Sequence, residues 1–216
     1  MMQEITSKTN QNLKLVRAVS NGNSDKYILI EGKRLAEEAL RSEVSVFKSF
    51  ISNDFLENVQ NNELTSRLAE KSGTYLTPTK FFNSLSDTKT SQGVILLCER
   101  PKTSKSLMER ALKDAKPNAP IILCLNRIAN PNNLGAIFRV AEAADVCGVV
   151  ISKNSTDPFS PKANRAAMGS NLRLPIWHGD SLENIVDWAT TIGLKTTCAD
   201  INSATSFVDA NWDKKR

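Results

Sequence analysis

A chain of 216 residues at 40% hydrophobic composition can bury a substantial core, as one large domain or two small ones. No run approaches the roughly twenty apolar residues of a membrane helix, and residues 1–10 lack the apolar block of a secretory signal, so the sequence reads as soluble and cytoplasmic with no membrane partner. The net charge is +5, most of it in residues 1–118, which carry 18 basic and 14 acidic side chains; this suits a nucleic-acid partner but is also ordinary for a soluble protein.

In chain order, Leu13, Val16 and Val19 recur at helical spacing, and after a polar break the apolar run 27–30 predicts a buried strand closed by Glu31-Gly32. Leu35, Ala36, Ala39 and Leu40 form a second helical stripe, 44–51 a second strand, and 54–71 one helix. A short strand at 74–76, a Pro78-led helical turn and a strand at 93–98 complete an α/β unit, which Glu99-Arg100-Pro101 ends. The expected division is a first domain at 1–100, a lysine-rich linker at 101–118 with a short helix, and a second domain at 119–216. There, strands at 120–125 and 148–151 flank a helix at 134–144, predicting a parallel βαβ unit. A short helix within 158–169, a strand at 174–176, a helix at 182–191 and a strand at 195–199 follow.

Cys98, Cys124, Cys147 and Cys198 lie far apart, which excludes a zinc spacing and a close redox pair. Three sit in apolar runs and predict buried thiols. The single histidine, His178, has no ligand at metal spacing, and no metal is expected.

The loop Asn126-Arg127-Ile128-Ala129-Asn130-Pro131-Asn132-Asn133 leaves a strand's carboxyl end and opens a helix, where open α/β sheets place ligands. Capping is the ordinary role for Asn132 or Asn133. Gly135 costs about 1 kcal/mol of helix propensity and implies a close backbone or ligand approach. Arg139 needs solvent or an anion on an otherwise apolar helix, and it shares a face with Asn133 only if Asn133 is the cap rather than a helical residue.

The string Asn133-Leu134-Gly135-Ala136-Ile137-Phe138-Arg139, followed by Ala141-Glu142-Ala143 and Gly148-Val149-Val150, resembles the first motif of the SpoU (TrmH-type) RNA ribose 2′-O-methyltransferases. Lys162-Ala163-Asn164-Arg165-Ala166-Ala167-Met168-Gly169-Ser170 resembles the family's Arg-Ala-Ser-Xaa-Gly segment, with Ala167 in place of the serine. Ile5-Thr6-Ser7, Asn10, Lys14 and Ile30-Glu31-Gly32-Lys33-Arg34-Leu35 look like the L30e-type substrate-binding domain that precedes the knot in many relatives. The resemblance implies an α/β fold of an L30e-like domain followed by a SPOUT-type (α/β knot) methyltransferase domain. It also implies S-adenosylmethionine as methyl donor and RNA, most of all ribosomal RNA, as partner. Arg139 is then expected to contact RNA phosphate and activate the ribose hydroxyl, Asn133 to orient the site, and Lys14, Lys33, Arg34 and Arg165 to bind RNA. Solvated helix faces explain Lys14, Lys33 and Arg34 equally well.

The family's Gly-Asn-Glu and Ser-Leu-Asn segments, which form most of the cofactor pocket and much of a homodimer interface, have no counterpart up to Arg216. The expectation is a knotted domain truncated before the knot, with no cofactor-binding residue assignable and the homodimer weakened. The alternative function is a catalytically silent RNA-binding remnant of such an enzyme.

Overall fold

The computed structural model describes residues 2–86, 88, 90–115, 120–199 and 201–209. The first part runs β1 (Gln3–Glu4), α1 (Gln11–Ser20), β2 (Tyr27–Glu31), α2 (Lys33–Arg41), β3 (Val46–Ser52), α3 (Asn53–Glu57), α4 (Asn62–Lys71), β4 (Gly73–Thr77), α5 (Thr79–Phe82) and β5 (Val94–Glu99). These strands form a five-stranded sheet in the order β1-β4-β3-β5-β2. β4 runs parallel to β1 and β3, whereas β5 is antiparallel to β3 and β2. As the apolar spacing requires, Leu13, Val16 and Val19 seat α1 on a core that includes Leu29, Phe50, Ile95 and Leu97. β5 is buried on both faces, which is why its sequence is continuously apolar rather than alternating.

The single helix expected at 54–71 is instead broken into α3, a 3₁₀ turn (Val59–Asn61) and α4. Asparagine side chains compete with the helical ladder there: Asn58 Oδ1 accepts from the Gln60 amide at 3.0 Å, and Asn61 Nδ2 donates to the Phe55 carbonyl at 2.9 Å.

The remainder runs α6 (Lys105–Asp114), β6 (Ile122–Leu125), α7 (Pro131–Ala143), β7 (Gly148–Ser152), α8 (Pro161–Ala167), α9 (Ser170–Arg173), β8 (Ile176–Asp180) and α10 (Leu182–Thr191). β6, β7 and β8 pair in parallel in that order, so the expected βαβ unit is present. By its contacts the chain divides into one unit of Met1–Pro101, Asn130–Arg139 and Asp157–Arg173 and another of Lys102–Ala129, Val140–Thr156 and Leu174–Arg216. The second unit's core gathers Met108, Val150, Trp177, Ile185 and Trp188, with the two indoles edge to face at 5.0 Å. The helix expected within 101–118 is therefore core-forming: Met108 is fully buried, and its Sδ and Cε occupy the space a side chain at Gly148 would need.

Residues 195–199 are exposed and form no strand, because an extended segment persists only with a ladder partner, and the described residues provide none. Residues 200 and 210–216 of the expected carboxyl-terminal segment lie outside the described residues. Of the cysteines only Cys98 is fully buried, where desolvation pushes its thiol up to about 12; Cys124 and Cys198 are exposed and Cys147 is partly buried. Cys124 lies on β6, an edge strand whose residues are only partly covered before Leu125, and an apolar run on such a strand does not guarantee burial.

Candidate active site

The loop after β6 is fixed by side chains at the end of β7. Ser152 Oγ donates to Asn126 Oδ1 at 2.8 Å and accepts from the Arg127 amide at 3.1 Å, while the Ile128 amide donates to Ser155 Oγ and the Ile128 carbonyl accepts from the Thr156 amide. Arg127 is held at φ 54°, a left-handed conformation uncommon for a residue with a Cβ. Ser152 is almost fully buried and had no signal in the sequence beyond ending an apolar run.

Asn130, not Asn132 or Asn133, begins the helix. Its Oδ1 accepts from the Asn132 amide at 2.9 Å and its carbonyl accepts from the Leu134 amide at 3.1 Å, with Pro131 following at a position where no amide is needed. Asn133 therefore lies inside α7, and six residues place it roughly 120° around the helix from Arg139 and about 9 Å along it. The structure does not bring the two side chains onto one face. Both are exposed, and Arg139 has no hydrogen bond or ion pair among the described residues.

Gly135 marks a backbone approach. A Cβ there would lie 2.4 Å from Ala166 Cβ, 2.7 Å from the Ala163 carbonyl oxygen and 2.7 Å from the Ala167 nitrogen, so α7 crosses α8 at this residue. Leu134 and Phe138, four residues apart on one face of the helix, are fully buried.

Residues 157–173 pack on the β2–α2 region. Asn164 Nδ2 donates to the Leu29 carbonyl at 3.0 Å and the Phe159 carbonyl at 2.9 Å. Arg165 Nη1 faces Glu31 Oε2 at 3.5 Å, and Glu31, whose side chain is 3% exposed, also accepts from the Ser86 and Thr88 hydroxyls. Arg173 meets Glu38 at 2.9 Å, and Arg100 forms a two-point ion pair with Asp157. The sequence singled out Arg165 as a site residue, whereas Glu31 appeared there only within the segment 30–35, as the acid that closes an otherwise apolar strand.

The other basic candidates differ in kind. Lys14 and Arg34 are exposed on α1 and α2. Lys33 is committed to the fold, its Nζ donating to the Gln60 carbonyl at 2.9 Å and to Asn61 Oδ1 at 2.8 Å. Lys33, Arg34 and Arg41 line a depression of about 610 Å³, but Glu37 and Glu38 line it as well, and Glu38 pairs with Arg41 at 2.8 Å.

Residues 120–216 match the SpoU rRNA Methylase family, and residues 29–104 match the RNA 2'-O ribose methyltransferase substrate binding family. An uncharacterized tRNA/rRNA methyltransferase of Synechocystis sp. is 30% identical over 197 residues, covering 88% of this chain and 68% of that protein. The chain belongs to the SpoU family. Another SpoU relative, the 23S rRNA (guanosine(2553)-2'-O)-methyltransferase RlmP of Bacillus subtilis, is 27% identical over 90% of this chain and 72% of its own length. The zebrafish mitochondrial rRNA methyltransferase 3A is 33% identical over 69% of this chain, which spans only 33% of that longer protein. Among solved structures, the AdoMet-bound rRNA methyltransferase of Sinorhizobium meliloti superposes with a TM-score of 0.81 over 99% of this chain and 78% of its own at 23% identity. The AdoMet complex of the SpoU methyltransferase AviRb from Streptomyces viridochromogenes gives 0.71 over 86% of this chain and 70% of its own at 18% identity. These two likenesses establish the SpoU fold.

S-adenosylmethionine needs a slot for adenosine and free polar groups for its amino-acid end. At the carboxyl ends of the parallel strands several of the described polar groups are already committed. Ser152 and Asn126 bond each other, and Asp180 accepts from Asn184 Nδ2 at 2.7 Å and the Ser181 amide at 2.9 Å, bonds that hold its carboxyl below the usual range. Ser152 and Asp180 are therefore not free to take the amino-acid end of such a cofactor. Among the described residues no group of three His, Cys, Asp or Glu side chains could hold a metal, and no helix is long and apolar enough to cross a membrane.

Proposed function

We propose that this SpoU chain takes part in transfer of a methyl group from S-adenosylmethionine to a ribose 2′-hydroxyl of ribosomal RNA. The observation that carries the reading is the pairing, in one chain, of a substrate-binding module and the methylase motif helix. A 2′-hydroxyl is a weak nucleophile that must be held in line and relieved of its proton. Arg139 is suited to the electrostatic part of this task. An arginine is a poor base, but an exposed guanidinium without a carboxylate partner among the described residues is available to a phosphate and to the developing alkoxide. Asn133, one turn or more away on another face, orients the site and does not contact the same atoms. A cytoplasmic location and a homodimeric assembly accord with this reading, and light scattering of the purified chain tests the second.

The test is transfer of a labelled methyl group from S-adenosylmethionine to purified ribosomal RNA, with the modified ribose located by its resistance to alkaline cleavage. Wild type is expected to label RNA and Arg139→Ala to lose at least a hundredfold in rate while keeping its unfolding midpoint. The commitment of Ser152 and Asp180 to bonds within the strand-end loops favours a second reading, RNA binding without chemistry. In that case neither protein labels RNA, and both bind it with the same salt-dependent affinity.

A further inference from the structure

The aromatic residues near the start of the sheet are arranged with cations in a way the core does not require. Strand β3 pairs with β5 in a register that shifts between Val46 and Lys48, with Val46 opposite Cys98 and Lys48 opposite Leu97. Phe47 is thus the extra residue of a bulge, a device that turns a side chain out of its strand's alternation. It is 38% exposed and stacks on Tyr27 of β2, centroids 4.6 Å apart and planes 12° off parallel. Lys26 Nζ lies 5.2 Å from the Tyr27 ring, and Lys48 Nζ lies 4.9 Å from Phe47 and 5.5 Å from Tyr75. Lys8 stands 5.9 Å from Phe81 on the same core cluster. Four lysine–ring contacts thus fall between Lys8 and Phe81.

The charges are also left unneutralised. Lys48 Nζ donates to the neutral Asn12 Oδ1, and none of Lys8, Lys26 or Lys48 lies in an ion pair among the described residues, although Asp25 and Glu99 are close in sequence or register. A stacked ring pair whose Phe47 member is exposed, with lysines over the rings and outside any ion pair among the described residues, matches single-stranded nucleic acid, in which each nucleotide brings one stacking face and one phosphate.

We infer that the Tyr27–Phe47 stack with Lys26 and Lys48 is a platform for an unpaired base of the RNA substrate. This rests on the proposed RNA-directed function and adds where the substrate's single-stranded part is held. The base stacks on the ring pair, and the lysines take the flanking phosphates.

The test uses the full chain and two fluorescein-labelled probes, an eight-nucleotide oligoadenylate and a fully paired RNA duplex of equal length, with binding followed by anisotropy at several salt concentrations. Phe47→Leu keeps the apolar bulk and is expected to weaken oligoadenylate binding about tenfold while changing duplex binding less than twofold. Lys26→Gln and Lys48→Gln are each expected to lower the salt slope on oligoadenylate by about 0.7. An oligonucleotide carrying 5-iodouracil gives a readout independent of any variant, with the crosslink expected at Tyr27 or Phe47. The platform is overturned if Phe47→Leu, with an unchanged unfolding midpoint, binds oligoadenylate within twofold of wild type. A crosslink mapped elsewhere, or an oligoglutamate peptide that competes as well as oligoadenylate, overturns it too. Should wild type bind both RNAs while these criteria fail, only the platform falls; should it bind neither RNA, the proposed function falls with it.

Discussion

Arg165 Nη1 faces the buried Glu31 carboxylate at 3.5 Å, joining the segment that carries the second family motif to the strand that opens the substrate-binding module. The two ends differ: the Arg165 side chain is 27% exposed and Glu31 only 3%, so loss of the arginine strands a buried charge whereas loss of the acid leaves a cation that water can reach. Arg165→Met is therefore expected to cost about 2 kcal/mol in urea unfolding, and Glu31→Gln added to it to restore part of that loss. A double-mutant cycle in which the two costs simply add would show that the pair is not coupled.

Gly135→Ala raises helix propensity by about 1 kcal/mol, yet its Cβ would press on Ala166 and on the backbone of Ala163 and Ala167. Backbone cannot move aside as a flexible side chain does, so a net loss of about 1–3 kcal/mol is expected. A thermal unfolding midpoint at or above that of wild type contradicts the helix crossing described.

Lys33 and Arg34 are neighbours with different duties. Lys33→Ala removes two hydrogen bonds to the 3₁₀ turn and is expected to lower stability by about 1 kcal/mol or more. Arg34→Ala and Lys14→Ala, at exposed positions, are expected to stay within about 0.5 kcal/mol and instead lower the salt slope of RNA binding by nearly one each. Urea titration beside anisotropy separates the two effects.

Burial pushes the Cys98 thiol up from 9.0 to about 12. The sign follows from the unfolded chain ionising first: the stability due to holding a neutral thiol is fully present below pH 9 and declines as pH rises from there toward 12. In native protein at pH 8 a thiol reagent is expected to label Cys124 and Cys198 and to spare Cys98 until denaturant is added. Labelling of Cys98 at the rate of the exposed pair would show that β5 opens without unfolding.

Much of this fold was legible because the buried stripes of α1 and α2 and the apolar runs of β2, β5 and β7 obey simple periods. The failures are local and have local causes. Asn58 and Asn61 broke a helix that periodicity alone extends, and Asn130 took the cap that a reader gives to the asparagines nearest the first apolar residue. The strand expected at 195–199 failed because strand formation is a property of pairs, which no single segment encodes. The motif residues were legible by pattern, but Glu31 and Ser152 acquire their roles only from partners 134 and 26 residues away.

β2 is the last strand of its sheet, and its outward Leu29 carbonyl is taken by the Asn164 amide. Without that cover it would be a bare strand edge of the kind that recruits other chains. During synthesis the cover arrives late, since 135 residues separate the edge from the residue that blocks it. The first sheet thus passes through an interval of vulnerability to intermolecular pairing. A fragment ending at Pro101 is the form in which that hazard would become permanent.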